Sequence, residues 1–273
     1  MKINNHLLEG KGVSQHQSPN HSGEFTAGLP DSIIIHYTAG SSAASSVKTL
    51  SNPKTKASAH LVIGRDNSIT QLVPFDTIAW HAGRSSYKGR TGFNKFSIGI
   101  EIDNAGRLEK SGDKYVSWFK KNYDPGDVVE AVHRNESASS FWHAYTEDQV
   151  SIVNDICELL IETYQITSIL GHEEIAPKRK TDPGPAFPLD QFRDHLLASD
   201  RSEDEKDEEL ELNNIGLVSA SKLNIRKSPS QHSGLAAPPL VKGALVDIIN
   251  ENNGWYEVEL KTRGWVKKDY IKT

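Results

Sequence analysis

Two histidines and one aspartate, far apart in the sequence, are the side chains best suited to hold a catalytic metal ion. His36 ends an apolar run, His172 follows Gly171, and Asp182 precedes a proline. Two imidazoles and one carboxylate form a donor set that suits Zn²⁺ and leaves a coordination position for water. A lone histidine in a strand or loop more often has a structural role, so the residue types alone leave both interpretations open.

A familiar zinc pattern can be tested on the same residues. His172 and Glu173 would begin the H-E-x-x-H pattern, in which two histidines one helical turn apart bind zinc. Position 176 is Ala, so this chain does not carry that pattern. Any metal site must therefore draw its ligands from separate elements of the fold.

Short strands are predicted around these residues. Ser32–His36 is apolar enough for a buried strand, and Ala59–Ile63 and Ser68–Val73 flank Arg65–Asn67 in a pattern typical of a hairpin. Phe96–Ile102 alternates strictly, so one face packs and the other can carry chemistry. Glu101 belongs to that second face.

A helix is predicted to follow at Thr146, which is a candidate N-cap with Gln149 completing a capping box. Strands mixed with helices at these intervals predict an α/β domain with a mixed central sheet covered by helices. The segment 106–144 has no clean period, and we expect a long loop with short helical pieces that borders a site. Apolar residues recur at helical spacing after the cap: Val150, Val153, Ile156, Cys157, Leu160 and Tyr164.

Composition limits the classes of function. The 273 residues are 36% hydrophobic and 25% charged, as in globular proteins, with a formal charge of −5 that argues against nucleic acid as a partner. One cysteine cannot form an internal disulfide. No run of apolar residues approaches the length of a membrane span, and the N-terminus lacks the apolar core of a secretory signal. We therefore expect a cytoplasmic protein, or one released to the cell wall by lysis or specialised secretion; the oligomeric state stays open.

The chain divides at an acidic run. Residues 201–209 hold six acidic and two basic side chains and no apolar one, which is typical of a solvated linker. We expect a domain at 1–198, a linker at 199–211 and a small all-β barrel at 212–273, where Gly254 and Gly264 punctuate β-rich runs. Leu223–Pro229, Gly254–Tyr256 and Gly264–Val266 resemble a bacterial SH3 domain.

Five motifs of the larger domain together resemble one enzyme family. The resemblance is to zinc-dependent N-acetylmuramoyl-L-alanine amidases of the AmpD and phage-lysozyme type, and it covers roughly residues 25–195. Its motifs are His36–Thr38, Ser58–Ile63, Ala79–Gly83, Ser97–Glu101 and, most specifically, Gly171–Phe187.

The resemblance implies that His36, His172 and Asp182 bind Zn²⁺ and that Glu101 and Lys180 complete the catalytic site. The substrate would be peptidoglycan or a muropeptide, cleaved between the lactyl group of N-acetylmuramic acid and L-alanine. Zinc would acidify a water molecule, Glu101 could take its proton, and Lys180 could stabilise the oxyanion. Which of these two residues acts as the base is left open.

Trp80 and His81 are candidates for lining the substrate groove, although a core tryptophan beside a turn is a comparable interpretation. His60 alternates with inward-facing residues, so a buried, hydrogen-bonded role is favoured. No ligand role is assigned to the other histidines: His6, His16, His21, His133, His143, His195 and His232.

Two rival functions remain. The first is a peptidoglycan-recognition protein of similar fold that binds without cleaving, whose signature would be a lost zinc ligand. The second is a cysteine hydrolase, because SH3 modules also accompany wall peptidases. A nucleophilic cysteine needs a helix N-terminus or a cationic neighbour, whereas Cys157 stands within a helical stripe beside Glu158.

Overall fold

The computed structural model describes residues 1–198, 215–241, 243–252 and 254–260. The chain falls into two compact units, Met1–Arg201 and Ser202–Thr273. The predicted acidic linker at 199–211 lies outside the described residues, and the domain boundaries at 198 and 212 stay predictions.

In its described residues, 1–198, the first unit contains seventeen short strands, four α-helices and two 3-10 turns. The strands are β1 Lys2–Asn4, β2 Leu7–Glu9, β3 Val13–Gln15, β4 His21–Glu24, β5 Ser32–Tyr37, β6 Leu61–Ile63, β7 Ile69–Gln71, β8 Thr77–Ala79, β9 Ser86–Tyr87, β10 Arg90–Thr91, β11 Ser97–Ile102, β12 Arg107–Ser111, β13 Lys114–Val116, β14 Asn122–Tyr123, β15 Val128–Val132, β16 Ser139–His143 and β17 Ser168–Gly171. The helices are α1 Ala43–Leu50, α2 Glu147–Tyr164, α3 His172–Ile175 and α4 Leu189–Ala198, and the 3-10 turns are Phe93–Lys95 and Pro125–Asp127.

The central sheet has six strands in the order β17-β5-β11-β6-β7-β3. β17, β5, β11 and β6 run parallel, while β6 and β7 form an antiparallel hairpin. The mixed sheet and the hairpin confirm the sequence predictions. Buried Val-, Ile- and Leu-rich strands of this kind are typical of a sheet with both faces covered.

Alternation along the two middle strands separates a packing face from a chemical face. On β5 and β11, the isoleucines at 33, 35, 98, 100 and 102 are fully buried and share one core cluster with the apolar stripe of α2. His36 and Glu101 belong to the opposite face of the same strands. The large helix therefore covers the face away from the candidate site.

Helix α2 begins as its sequence predicts. The Thr146 hydroxyl accepts a hydrogen bond from the Gln149 backbone N–H at 3.1 Å, and the Gln149 side chain accepts one from the Thr146 N–H at 3.2 Å. This capping box satisfies two backbone donors that the first helical turn leaves open. Gln149 is fully buried and also donates to the Asp103 carbonyl, which ties the start of the helix to the end of β11.

The expectation of a long loop at 106–144 is wrong. The segment forms a second, antiparallel sheet in the order β14-β13-β12-β16-β15, called the meander below after its β12-β13-β14 part. Its strands are two to five residues long, and charged side chains occupy both of their faces. Apolar and polar residues therefore alternate poorly along them, and the sequence pattern did not indicate strands. Leu108, Tyr123 and Ala105 provide a small core of its own.

The second unit contains short antiparallel strands, as expected for an SH3-like fold. They are β18 Ile215–Leu217, β19 Lys222–Leu223, β20 Leu240–Val241, β21 Leu245–Asn252 and β22 Trp255–Glu259. β21 and β22 form a hairpin, and Gly254 in its turn has a φ of 76°, the positive value that favours glycine. The predicted strand around Trp265 lies outside the described residues.

Candidate metal centre

The topology of the central sheet brings the candidate ligands to one edge. His36 lies near the carboxyl end of β5, and His172 directly follows β17, which pairs with β5 in parallel. Glu101 on β11 stands in register with His36 across the other parallel pairing. The carboxyl ends of parallel strands meet at the same edge of a sheet, which explains how residues 136 positions apart come into contact.

His36, His172 and Asp182 surround a single point. The two Nδ1 atoms are 2.9 Å apart, and each lies 2.9 Å from Oδ2 of Asp182. All three side chains are buried, with exposures of 1%, 2% and 5%. In the part of the chain that the structure describes, they form the one cluster of histidine and carboxylate groups arranged to hold a metal ion.

The outer ring nitrogens determine where the protons lie. His172 Nε2 is 3.1 Å from the Ala82 carbonyl, so it must carry the donated proton. His81 Nε2 likewise faces the Ser97 carbonyl at 3.1 Å, which leaves His81 Nδ1 as an acceptor for His36 Nε2–H at 3.0 Å. A neutral ring with its proton on Nε2 has a bare lone pair on Nδ1.

Electrostatics favour this proton arrangement. Burial, and then the charge of His172, lower the pKa of His36 to about 4, so this ring is neutral at neutral pH. Burial tends to raise the pKa of Asp182, but the adjacent His172 and His36 imidazoles outweigh that effect and lower it. Two nitrogen lone pairs and one carboxylate oxygen thus converge within hydrogen-bond distance. Such a centre is electron-rich, and a cation of the Zn²⁺ type fits its donor set.

Glu101 lies beside this centre with an unused oxygen. Its Oε2 is buried and has no hydrogen-bond partner among the described residues. Burial, followed by the charge of Asp182, raises its pKa well above the usual value for glutamate, while Lys180 opposes this shift. A carboxyl group with a raised pKa beside a reaction site is suited to exchanging protons.

Lys180 follows α3 in the turn that leads to Asp182. Its backbone N–H donates to the Ala176 carbonyl at 3.0 Å, which closes this turn. The positive charge of Lys180 acts on both His36 and Glu101, lowering the pKa of each. The fold therefore places all five predicted residues together, although their chemical roles stay predictions.

Trp80 and His81 occupy different environments. The half-buried Trp80 donates its indole N–H to the Ser22 hydroxyl at 2.5 Å. His81 is 9% exposed, and both of its ring nitrogens are engaged inside the protein. The expected contact between the His81 ring and a substrate does not fit this placement, because neither nitrogen is free. His81 contacts the outer side of a metal ligand instead.

Gly99 on β11 makes room for that imidazole. A Cβ atom at this position would lie 2.4 Å from Cγ of His81, closer than nonbonded carbons approach. The Gly99 N–H donates to His60 Nδ1 at 2.9 Å, and His60 Nε2 faces the Thr77 carbonyl at 2.9 Å. His60 is fully buried and hydrogen-bonded, which confirms its predicted role.

A buried hydrogen-bond network around Glu173, which the sequence did not reveal, supports the segment around His172. Glu173 accepts hydrogen bonds from His133 at 2.7 Å and from the backbone N–H of Gly184 at 3.0 Å, and Arg134 Nε lies 2.8 Å away. His133 and Glu173 are 40 positions apart, so no local spacing indicates the pair. The meander is thereby joined to the residue next to a candidate ligand.

The family comparison covers most of the first unit. Residues 26–185 match the family model described as N-acetylmuramoyl-L-alanine amidase. This chain belongs to that amidase family. Residues 219–272 match the bacterial SH3 domain model.

Curated relatives of this amidase-family chain include two from Escherichia coli strain K12. It is 37% identical to 1,6-anhydro-N-acetylmuramyl-L-alanine amidase AmpD over 140 residues, 50% of this chain and 57% of AmpD. It is 34% identical to N-acetylmuramoyl-L-alanine amidase AmiD over 166 residues, 59% of this chain and 51% of AmiD. The chain thus spans only part of the length of these relatives. A solved structure of an AmpD selenomethionine derivative has 27% identity and a TM-score of 0.49, covering 70% of this chain and 97% of that one.

Two other features bear on the rival functions and on membranes. Cys157 is fully buried in the core, and burial raises the pKa of its thiol, so the thiolate needed by a cysteine hydrolase is disfavoured. None of the helices that the structure describes is long and apolar enough to cross a bilayer.

Proposed function

We propose that this chain is a zinc-dependent N-acetylmuramoyl-L-alanine amidase. It would hydrolyse the amide between the lactyl group of N-acetylmuramic acid and the L-alanine of peptidoglycan or of muropeptides. One observation carries the proposal: three buried donor atoms, each 2.9 Å from the other two, converge beside a carboxyl group with a free oxygen. The names of the amidase relatives support the substrate class.

The ligands would be Nδ1 of His36, Nδ1 of His172 and Oδ2 of Asp182. A zinc ion held by two imidazoles and a carboxylate supplies Lewis acidity, which acidifies a water molecule toward a pKa of about 7 and polarises a carbonyl. His81 and the Ala82 carbonyl accept the outer N–H groups and so keep the inner lone pairs directed at the ion. Retention of all three donors argues against the purely binding alternative.

Glu101 is proposed as the group that moves protons. Its raised pKa allows the carboxylate to take a proton from the attacking water and to release it to the departing amine. An amide nitrogen leaves poorly unless it is protonated, so the same residue would serve both steps. The unpartnered Oε2 is the atom available for this exchange.

Lys180 is proposed to stabilise the negative charge that develops on the carbonyl oxygen. Its charge acts on two groups of the site, His36 and Glu101. Loss of one positioned donor of this kind typically costs about 3 kcal/mol in the transition state. The same positive charge opposes the upward shift of the Glu101 pKa that burial causes.

The test combines metal content with product analysis. Purified protein is incubated with soluble muropeptides and with sacculi, and products are identified by mass spectrometry. We expect free stem peptides beginning with L-alanine, and no products after chelation. Intact substrate in the presence of bound zinc would reject the proposal.

Matched variants separate the roles at the site. We expect His36→Ala, His172→Ala and Asp182→Ala to lose both zinc and activity. Glu101→Gln and Lys180→Ala should keep zinc but lose kcat by about 100-fold or more. Zinc content is read by elemental analysis, and a ligand variant that keeps full activity would contradict the assignment.

The SH3-like region is proposed to bind the wall, through stem peptide or cross-bridge, and so to raise the local concentration of substrate. Its match to the bacterial SH3 domain model supports this role. Under this proposal the domains are 1–198 for hydrolysis and 212–273 for binding.

A further inference from the structure

Trp118 is exposed to an unusual degree for its size. Its exposed fraction is 70%, more than that of any other large apolar side chain in the part of the chain that the structure describes. Tryptophan normally hides most of its surface or contacts a partner. The exposure of this indole ring on the meander therefore indicates a surface that contacts a partner.

The ring is nevertheless held in one place. Its indole N–H donates to the Ala39 carbonyl at 2.8 Å, and Phe119 packs edge-on against it with ring centroids 5.6 Å apart. The turn that carries it, residues 117–121, joins β13 to β14. It is closed by Ser117 N–H to the Lys121 carbonyl and Lys120 N–H to the Ser117 carbonyl, both at 2.9 Å. A fixed aromatic surface loses little entropy when it binds a ligand.

The hydrogen bond also fixes where the ring lies. Ala39 is three residues after the candidate ligand His36, so their Cα atoms are at most about 11 Å apart. Trp118 thus projects from the meander onto the loop that leaves the metal centre. It stands within reach of a substrate whose reacting bond lies at that centre.

We propose that Trp118 stacks on a sugar ring of the glycan adjoining the scissile lactyl amide. This inference rests on the proposed function and extends it to the sugar side of the substrate. The lactyl group joins the amide directly to a pyranose, so a sugar must lie close to the metal centre during cleavage.

The surroundings of Trp118 suit a sugar better than an apolar partner. The facing loop, residues 38–42, consists of small and hydroxyl-bearing residues, and the turn carries Lys120 and Lys121. A pyranose presents a C–H face to an aromatic ring and hydroxyls around its edge. The other exposed large apolar side chains of the described part of the first unit are Met1 and Val132.

Binding is tested without catalysis. Full-length protein is freed of metal by chelation and titrated with soluble wall glycan from which the peptides have been removed. We expect Trp118→Ala to weaken the Kd about tenfold and Trp118→Phe to weaken it less, since the phenyl ring keeps part of the stacking surface. Val132→Ala, an exposed change on the same meander, is the matched control and should leave the Kd unchanged.

Kinetics of the zinc-loaded protein give a second measurement. Trp118→Ala should raise KM for a muramyl peptide while kcat stays within twofold of the parent, because the contact is present before and during the reaction. Hydrolysis of a lactyl peptide that lacks the sugar should be unaffected.

The outcomes discriminate between the two proposals. Equal glycan affinity in the parent and Trp118→Ala, or a loss seen only with free stem peptide, would overturn the sugar contact. A parent protein that binds glycan through Trp118 but cleaves no muropeptide would overturn the amidase proposal and leave the sugar site intact.

Discussion

The proton positions on the imidazoles of the metal centre are set by atoms outside it. His36 gives its outer proton to His81, and His81 gives its own to the Ser97 carbonyl. Each hydrogen bond removes one alternative tautomer, so the lone pair of His36 can only face inward. His81, which would not itself coordinate the cation, thus determines whether the site can accept one.

Variants of His81 provide a direct test of this chain of hydrogen bonds. We expect His81→Leu, which cannot accept the His36 proton, to weaken zinc affinity about 10- to 100-fold. His81→Asn keeps an acceptor near the same place and should retain more of the affinity. Zinc Kd values are measured by competition with a chelator, and ¹⁵N NMR of the metal-free protein reports the His36 tautomer. Equal affinities and an unchanged tautomer in both variants would show that His81 only fills space.

His60 makes a separate prediction about acid stability. Burial lowers its pKa to about 4, against about 6.5 when unfolded. The folded state therefore binds fewer protons, and the contribution of His60 is complete above pH 6.5 and declines as the pH falls toward 4. Between pH 7 and pH 5 we expect it to lose roughly 2 kcal/mol. We measure the free energy of unfolding in urea with chelator present. The difference between the parent and His60→Asn should shrink by this amount from pH 7 to pH 5. Parallel pH profiles would contradict the prediction.

At the residue scale, sequence reasoning chose the central residues and missed their supports. His36, His172 and Asp182 carry a recognisable chemistry, and the structure brings them together. The partners of those ligands are a histidine expected to meet substrate and a backbone carbonyl, and a buried contact between His133 and Glu173 supports the residue next to His172. Such contacts are set by tertiary packing, and a single sequence records no distance between His133 and Glu173.

At the element scale, the meander is the feature that distinguishes this chain from its predicted fold. It forms from residues 107–143 with a small core of its own and is fastened to the ligand-bearing segment through His133, Arg134 and Asn135. Asn135 donates to the Glu173 carbonyl at 3.0 Å. This sheet is thereby coupled to the short helix α3, which begins with His172.

Breaking that fastening should destabilise the first unit. We expect His133→Ala to lower the free energy of unfolding by about 3 kcal/mol, because it removes one partner of a buried pair and leaves a cavity. Lys2→Ala is a suitable control, since its ion pair with Glu9 is exposed and should contribute little to stability. Denaturant unfolding followed by circular dichroism measures both. Similar small losses in the two variants would show that the meander is only loosely attached.

The regular elements were predictable where local signals agree. The capping box fixes the start of α2, and strict alternation identifies β11. The strands of the meander were not predictable in this way, because they are short and half-exposed and lack a clear alternating pattern. Cross-strand pairing stabilises them.

At the scale of the whole molecule, two units of different chemistry share one chain. The first holds the candidate metal centre, and the second matches a bacterial SH3 domain. The sequence predicts a linker at the acidic run, residues 201–209, because such a run cannot bury apolar surface.

The proposed binding role of the second unit predicts a difference between substrates. Deletion of residues 200–273 should reduce the rate on intact sacculi about tenfold or more and change the rate on soluble muropeptides little, since tethering raises only the local concentration of an immobile substrate. Dye release from labelled sacculi and chromatography of muropeptides give the two rates. Equal losses on both substrates would count against a targeting function.

Gly99 limits how the proposed amidase activity could be altered by directed evolution. The missing side chain at this position accommodates the ring that orients one ligand, and the same strand delivers Glu101 two residues later. Any larger residue would have to push either the strand or the imidazole aside, so proton transfer and metal affinity would change together. Libraries meant to tune one property independently of the other should leave position 99 fixed and vary positions farther from the metal centre instead.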